Sequence, residues 1–376
     1  MKKNEPNNPK PMRVLISGGG TGGHIFPALA IANAIRRERP DTEIKFVGAL
    51  GRMEMERVPA AGYEIEGLPV AGFDRRRLWR NFAVVVKLLR SMRRARRIVR
   101  EFRPDIAIGV GGYASGPTLK AAQRAGVPTL LQEQNSYAGV TNKLLARRAR
   151  RICVAYAGME RFFPTEAIEM TGNPVRADIA QCPLTREEAK KKLGFDPARS
   201  LVLVVGGSLG ARTINETIAA CVDSIAGTGA QMLWQTGKYY YDEISRAVTA
   251  PAGVTIAPFI SDMATAYRAA DIVVARAGAG TISELQILGL PSILVPSPNV
   301  AEDHQRKNAQ ALVDAGAAIM VLDAEAGEKL PQAILDLLGD CSRRESLAAN
   351  ASAMALPAAD SRIARIVIEI VNQSRK

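Results

Sequence analysis

Two glycine-rich segments hold the residues best suited to chemistry. Gly18-Gly-Gly-Thr-Gly-Gly23 follows the apolar run Val14–Ser17 and leads directly into His24, one of only two histidines in the chain. A glycine loop at a helix start aims backbone N–H groups and the positive dipole end at an anion. An imidazole placed there can take a proton from a hydroxyl. A histidine at a helix start also serves as a cap or a packed ring, and these residues alone leave that open. Gly18, Gly20 and Gly23 match the GxGxxG spacing of dinucleotide sites. The second strand ends Phe46-Val-Gly-Ala-Leu-Gly51, without the acid that would hold a ribose, which disfavours NAD. No Gly-Lys-Ser or Gly-Lys-Thr follows either loop, so neither is a P-loop.

The second constellation is denser. Gly206-Gly-Ser-Leu-Gly210 can wrap a phosphate with backbone amides and the Ser208 hydroxyl. Ala275-Arg-Ala-Gly-Ala-Gly-Thr-Ile-Ser-Glu284 reads as a strand end, a turn and a helix with Glu284 on its first turns. A carboxylate there can accept both hydroxyls of a ribose, or simply satisfy the helix dipole. Pro296-Ser-Pro-Asn-Val-Ala-Glu-Asp-His-Gln-Arg-Lys-Asn308 then enters a helix and crowds His304, Gln305 and Asn308 at the C-terminal edge of the sheet; a simple capped helix start would explain Asp303 but not the whole cluster. Amides so placed suit a sugar. There is no Asp-x-Asp to hold a divalent ion on a diphosphate. Helix dipoles and loop amides would have to neutralise a leaving diphosphate instead, as in a metal-independent transferase.

Short apolar runs must position these loops. They are Val14–Ser17, Ile44–Val47, Ile106–Gly109, Thr129–Leu131 and Ile152–Ala155 in the first half. In the second half they are Leu201–Val205, Met232–Thr236, Thr255–Ala257, Ile272–Ala275, Ile293–Val295 and Ile319–Leu322. Apolar strands alternating with helices predict parallel α/β sheets covered on both faces. The strand–glycine–helix opening occurs twice, with helices expected over Pro27–Arg37 and Thr213–Ile225. Two doubly wound, Rossmann-like domains in tandem follow. The expected division is a disordered tail at 1–11, a first domain at 12–173 and a second at 174–356. A last helix within 357–376 is expected to pack back on the first domain through Ile363, Ile366, Val367, Ile370 and Val371.

The 376 residues are 47% hydrophobic and 23% charged, as in an ordinary globular protein. Four scattered cysteines without a CxxC pair argue against a disulfide framework or a zinc site and point to a reducing cytoplasm. The net charge of +13 is concentrated. Arg75–Arg103 holds twelve basic residues against Glu101 alone, so it carries +11 of that total. Leu78, Phe82, Val85, Leu89 and Met92 recur at helical spacing within it, and Trp79 stands near its start. Three readings compete: a solvated helix packed on the core, a basic amphipathic helix on an anionic membrane, and a nucleic-acid footprint. No nucleic-acid motif accompanies the patch. No apolar run is long enough to span a bilayer, and the polar N-terminus has no secretory apolar core. Membrane contact would therefore be peripheral, on the cytoplasmic side.

Seven motifs occur in order: GGGTGGHIFPALAIA at 18–32, GGYASGP at 111–117, QEQNSYAGVTNK at 132–143, GNPVR at 172–176, GGSLGA at 206–211, ARAGAGTISEL at 275–285 and EDHQRKNA at 302–309. Together they resemble the MurG family, UDP-N-acetylglucosamine transferases of glycosyltransferase family 28 that complete lipid II in peptidoglycan synthesis. The likeness runs from about residue 12 to the final helix. It implies a B-type glycosyltransferase, two Rossmann-like domains with a cleft between them, the acceptor lipid I on the first and UDP-GlcNAc on the second, with no cofactor and no metal.

By that resemblance Ser208 contacts the donor phosphates, Glu284 the ribose, and Ile260 with Met263 the uracil. Thr21, Gly22, Gly23, Asn135, Arg176, Ala279, His304, Gln305 and Asn308 complete the donor site. His24, Tyr113 and Glu133 match positions of acceptor handling or catalysis. Many members read His-Glu-Gln-Asn where this chain has Gln132-Glu-Gln-Asn135, so the expected base is His24. Trp79, Phe82, Arg93, Arg94, Arg96 and Arg97 would meet the inner-membrane surface. Other cell-wall synthesis and division proteins would be partners, and nucleic acid would not. Two other classes remain: a related B-type transferase using another glycolipid or natural product, and a non-enzymatic nucleotide-sugar or nucleic-acid binding module.

Overall fold

The computed structural model describes residues 11–70, 81–207 and 210–375, without the side chains of residues 81–83 and 301. The chain divides into two compact units, one of residues 1–134, 138–174 and 358–376, the other of 135–137 and 175–357. Each is built on a parallel sheet.

In the first unit the strands are β1 (Arg13–Ser17), β2 (Glu43–Ala49), β3 (Glu64–Leu68), β4 (Ile106–Gly109), β5 (Thr129–Glu133), β6 (Arg151–Val154) and β7 (Ile168–Met170), in the order β3-β2-β1-β4-β5-β6-β7. Successive strand residues point to opposite faces, and both faces of β1 are buried. Val14 and Ile16 join a core with Ile31, Ala32 and Ile35 of the helix Gly22–Glu38 and Ile363, Val367 and Val371 of the helix Ala359–Ser374. Leu15 joins the opposite core with Ala95, Ile98 and Val99 of the helix Asn81–Phe102 and Leu119 of the helix Ser115–Arg124. Each fully buried aliphatic side chain contributes roughly 1.5–3 kcal/mol.

In the second unit the strands are β8 (Leu201–Val205), β9 (Gln231–Gln235), β10 (Val254–Ala257), β11 (Ile272–Ala275), β12 (Ser292–Leu294) and β13 (Ile319–Met320), in the order β10-β9-β8-β11-β12-β13. Val202, Val204, Ile272 and Val274 pack with Ile214, Ile218 and Ile334 in one core. Thr185 opens the helix Arg186–Lys192 through a reciprocal capping box with Glu188.

The chain order reverses beside β1 in one unit and beside β8 in the other. In the first, β1 has β2 on one side and β4 on the other. In the second, β8 lies between β9 and β11. The crevice at the carboxyl ends of such a strand pair is where open α/β sheets bind ligands. The loops that face it follow β1 and β4, and β8 and β11. Residues 18–23 lie there in the first unit, and Gly206 and Gly207 open the corresponding loop of the second.

The structure departs from the sequence pattern at three places. β3 and β7, the two edges of the first sheet, were not foreseen. Glu64-Ile-Glu-Gly-Leu68 is too polar to stand out, and Ile168-Glu-Met170 is too short. The helix after the first glycine loop starts at Gly22 rather than Pro27, with Pro27 inside it at the cost of one helical hydrogen bond. The basic helix uses Ser91, Ala95, Ile98 and Val99 as its buried face, not the stripe through Val85 and Leu89. Residues 1–10 of the expected tail, Leu78 and Trp79 lie outside the described residues.

Candidate functional site

In the first unit the loop after β1 and the loop after β4 touch backbone to backbone. A Cβ on Gly18 would lie 2.1 Å from Val110 Cγ2, and one on Gly112 would lie 2.3 Å from the Gly19 carbonyl oxygen. His24, third residue of its helix, lies over Gly111, where a Cβ would come 2.8 Å from the imidazole Cδ2. Gly111 and Gly112 also hold φ of 95° and 85°, values that favour glycine. The His24 Nδ1 is 3.2 Å from the Gly19 carbonyl and 3.2 Å from Thr21 Oγ1. A carbonyl only accepts, so the Gly19 contact favours the tautomer with its proton on Nδ1. Thr21 and Gly23 are exposed beside it, Gly22 is half-buried, and Tyr113 is 57% exposed on the second loop.

Glu133 ends β5 and is buried. Its Oε2 accepts from the Gly139 N–H at 3.0 Å and Asn142 Nδ2 at 2.9 Å. That geometry fixes the loop behind it. Around Glu133 runs a buried amide network. Gln132 Nε2 donates to Asn173 Oδ1 at 2.9 Å, Asn173 Nδ2 to the Gln134 carbonyl at 2.9 Å, and Gln134 Nε2 to the Val110 carbonyl at 2.8 Å. Gln132 occupies this network as an amide, with no proton to exchange at neutral pH. The network was not legible in the sequence, because its members are joined only by the sheet.

In the second unit Glu284 lies on the helix Ala279–Leu288, which starts in the loop after β11. Tyr267, buried on the helix Met263–Ala269, donates its hydroxyl to Glu284 Oε2 at 2.9 Å. Burial pushes the Glu284 carboxyl up to about 7, against the pull of the Tyr267 hydrogen bond and of Arg176. Arg176 itself is gripped by Asp178. Ala279 opens the helix that carries Glu284. Ile260 is buried on the loop after β10, and Met263, half-buried, opens the helix that follows it. Asp262 pins that loop: it accepts from the Thr265 N–H at 3.0 Å and from Lys192 Nζ at 2.9 Å. These bonds lower its carboxyl to about 2, the Lys192 bond most.

In the polar loop after β12 the simple capped start at Asp303 does not form. Instead Glu302 and Asp303 take left-handed backbones, φ 59° and 51°, and Asp303 makes no capping bond. This double turn starts the helix His304–Asp314 with His304 and Gln305 half-buried on its first turn. Gln305 Oε1 accepts from the Ser297 N–H at 2.9 Å. Asn308 is wholly buried: its Oδ1 accepts from the Ser136 N–H at 2.9 Å, and its Nδ2 donates to Asn135 Oδ1 at 3.1 Å. Asn308 therefore supports Asn135 instead of facing solvent. Ser208 lies outside the described residues. Sequence reasoning missed Tyr267 and, in the first unit, the buried Glu54.

The basic helix Asn81–Phe102 exposes apolar and cationic side chains together. Val85 is 42% and Leu89 56% exposed. Arg93, Arg94, Arg96 and Arg97 are exposed beyond them. Arg97 pairs with Glu101 at 2.8 Å, and Arg94 approaches Glu66 at 3.9 Å. The side chain of Phe82 is outside the described set. No described helix is long and apolar enough to cross a membrane. Among the described residues no cluster of three or more His, Cys, Asp or Glu is placed to hold a metal ion.

Residues 14–154 match the glycosyltransferase family 28 N-terminal domain, and residues 201–363 the family 28 C-terminal domain. A Bacteroides fragilis protein named UDP-N-acetylglucosamine--N-acetylmuramyl-(pentapeptide) pyrophosphoryl-undecaprenol N-acetylglucosamine transferase is 58% identical, over 96% of this chain and 97% of its own. A Porphyromonas gingivalis protein of the same name is 53% identical over 99% of both. The crystal structure of Acinetobacter baumannii MurG is 28% identical with a TM-score of 0.77, over 96% of this chain and 100% of that one. A calicheamicin glycosyltransferase at 15% identity and TM-score 0.70 shares the fold. The glycine loops, the Glu284 helix and the paired parallel sheets thus lie in a chain that belongs to glycosyltransferase family 28.

Proposed function

We propose that this protein transfers N-acetylglucosamine from UDP-GlcNAc to the C4 hydroxyl of lipid I, undecaprenyl-diphospho-MurNAc-pentapeptide, to give lipid II of peptidoglycan. The observation that carries the reading is the 58% identity to a relative named for this transfer, sustained over 96% of the chain. The switch-point loops supply chemistry that fits it. In the second unit Glu284 takes the ribose hydroxyls, the Ile260 backbone and Met263 hold the uracil, and Asn135, Arg176, Ser208, His304 and Gln305 surround the diphosphate and sugar. Asn308 holds Asn135 in place.

In the first unit His24 Nε2 takes the proton as the acceptor C4 oxygen attacks the anomeric carbon. The new β-1,4 bond forms as the bond to the β-phosphate oxygen breaks, and UDP leaves with the electron pair. The N-terminal ends of the helices Ala279–Leu288 and His304–Asp314 offset its charge. Glu133 holds the loop that carries Asn135. The enzyme works at the cytoplasmic face of the membrane, docked through Val85, Leu89 and the arginines of the basic helix. Mass analysis of the lipid product tests the reaction. Addition of one N-acetylhexosamine to lipid I is the expected result, and transfer to a different acceptor would replace this reading with that of a related glycolipid transferase.

A further inference from the structure

Glu54 is an acid at the start of a short helix, Glu54–Ala60, with nothing in the sequence to mark it. It is only 1% exposed. Among the described residues no lysine or arginine pairs with it. Burying a carboxylate without a cation is costly unless hydrogen bonds replace its water. Here they come from two backbone amides. Glu54 Oε1 accepts from the Ala49 N–H at 2.9 Å, and both oxygens accept from the Gly20 N–H, at 3.1 and 3.0 Å. The space is cut to fit. A Cβ on Gly19 would lie 2.1 Å from Glu54 Oε1, and one on Gly48 would lie 2.5 Å from Glu54 Cγ.

The Gly20 N–H and the Gly19 carbonyl belong to one peptide group. Its N–H points to Glu54, and its oxygen accepts from His24 Nδ1 at 3.2 Å. A negative charge at the N–H end of a peptide draws the proton outward and enriches the carbonyl oxygen, so bonds in such a chain strengthen one another. We propose that Glu54 is a positioning residue that orients His24 and raises its basicity through the Gly19–Gly20 peptide. The arrangement resembles a carboxylate–imidazole pair with one peptide unit inserted between its members. It fixes the Nδ1–H tautomer, which leaves Nε2 to accept a proton. The inference rests on the reading of His24 as the base.

The test uses the full chain with Glu54→Gln. The amide oxygen keeps the acceptor for Ala49 and Gly20 while the charge is removed. kcat is expected to fall about tenfold or more, as when an outer partner of a functional imidazole is lost. KM for UDP-GlcNAc and for lipid I should stay within about twofold, and in a His24→Ala background Glu54→Gln should cost nothing further. Because the chain has two histidines, nitrogen-15 spectra resolve His24, identified by its loss in His24→Ala. The wild type should show the Nδ1–H tautomer, and Glu54→Gln should shift the ring toward Nε2–H. An unchanged His24 spectrum in Glu54→Gln, or an equal loss of kcat with and without His24, would overturn the role. Normal turnover by His24→Ala alone would sink the base assignment, while the tautomer shift would still decide whether Glu54 sets the ring.

Discussion

The Tyr267 hydroxyl donates to Glu284 Oε2 at 2.9 Å, so a buried phenol meets the single acid of the Ala279–Leu288 helix. This bond holds the carboxylate that the account assigns to the donor ribose and leaves its second oxygen for a hydroxyl. Glu284→Ala should weaken UDP binding by roughly ten- to a hundredfold, the range for hydrogen bonds to a charged group. Calorimetric titration with UDP measures it. Unchanged affinity would remove the ribose assignment.

The same carboxyl sets a pH dependence of stability. Its folded value of about 7 lies above the ordinary 4.5. Between those values the folded state binds more protons than the unfolded one, so stability falls as pH rises from about 4.5 to about 7 and then levels. Glu284→Gln should lack this loss and be more stable than wild type at pH 8, by about 3 kcal/mol. Denaturant titrations of both proteins at pH 5 and pH 8 would reveal the crossover. Parallel curves at the two pH values would exclude it.

Gly111 faces His24 with no room for a methyl group. Gly111→Ala places a Cβ 2.8 Å from the imidazole Cδ2 and strains a φ of 95°. The displaced ring should lower kcat by roughly a hundredfold, the scale of an ångström-sized misplacement. UDP affinity, set mainly in the other unit, should change little. Normal turnover would mean that the position of His24 does not matter.

On the basic helix, Arg97 already pairs with Glu101 and Arg94 approaches Glu66. Replacing Arg93 and Arg96 by Gln should therefore weaken binding to anionic vesicles more than replacing Arg94 and Arg97, with up to about 1 kcal/mol lost per arginine. Val85→Ser with Leu89→Ser should weaken binding further, and in a salt-insensitive way. Vesicle flotation at low and high salt separates the two contributions. Retention of all variants at high salt would place the membrane contact elsewhere.

The central strands were legible because a strand buried on both faces is a continuous apolar run, as in Ile106–Gly109 and Leu201–Val205. Edge strands such as Glu64–Leu68 carry charges on an open side and lose that signal. Residues lying on a motif, such as His24 and Glu284, could be named in advance. Glu54, Tyr267 and the Gln132–Asn173 pair could not, because their chemistry comes from partners that are distant in sequence. The stripe through Val85 and Leu89 shows the converse: helical spacing identified an apolar face but not what covers it. That face is exposed, and the core takes the neighbouring one.

The central claim is that His24-assisted transfer from UDP-GlcNAc proceeds only with lipid I as acceptor. Continuous measurement of UDP release from UDP-GlcNAc by the wild type and by His24→Ala, with and without lipid I, tests it most directly. Release by the wild type is expected only when lipid I is present, with a loss of at least about a hundredfold in His24→Ala and UDP affinity retained. Release without lipid I, or near-normal turnover by His24→Ala, would contradict it.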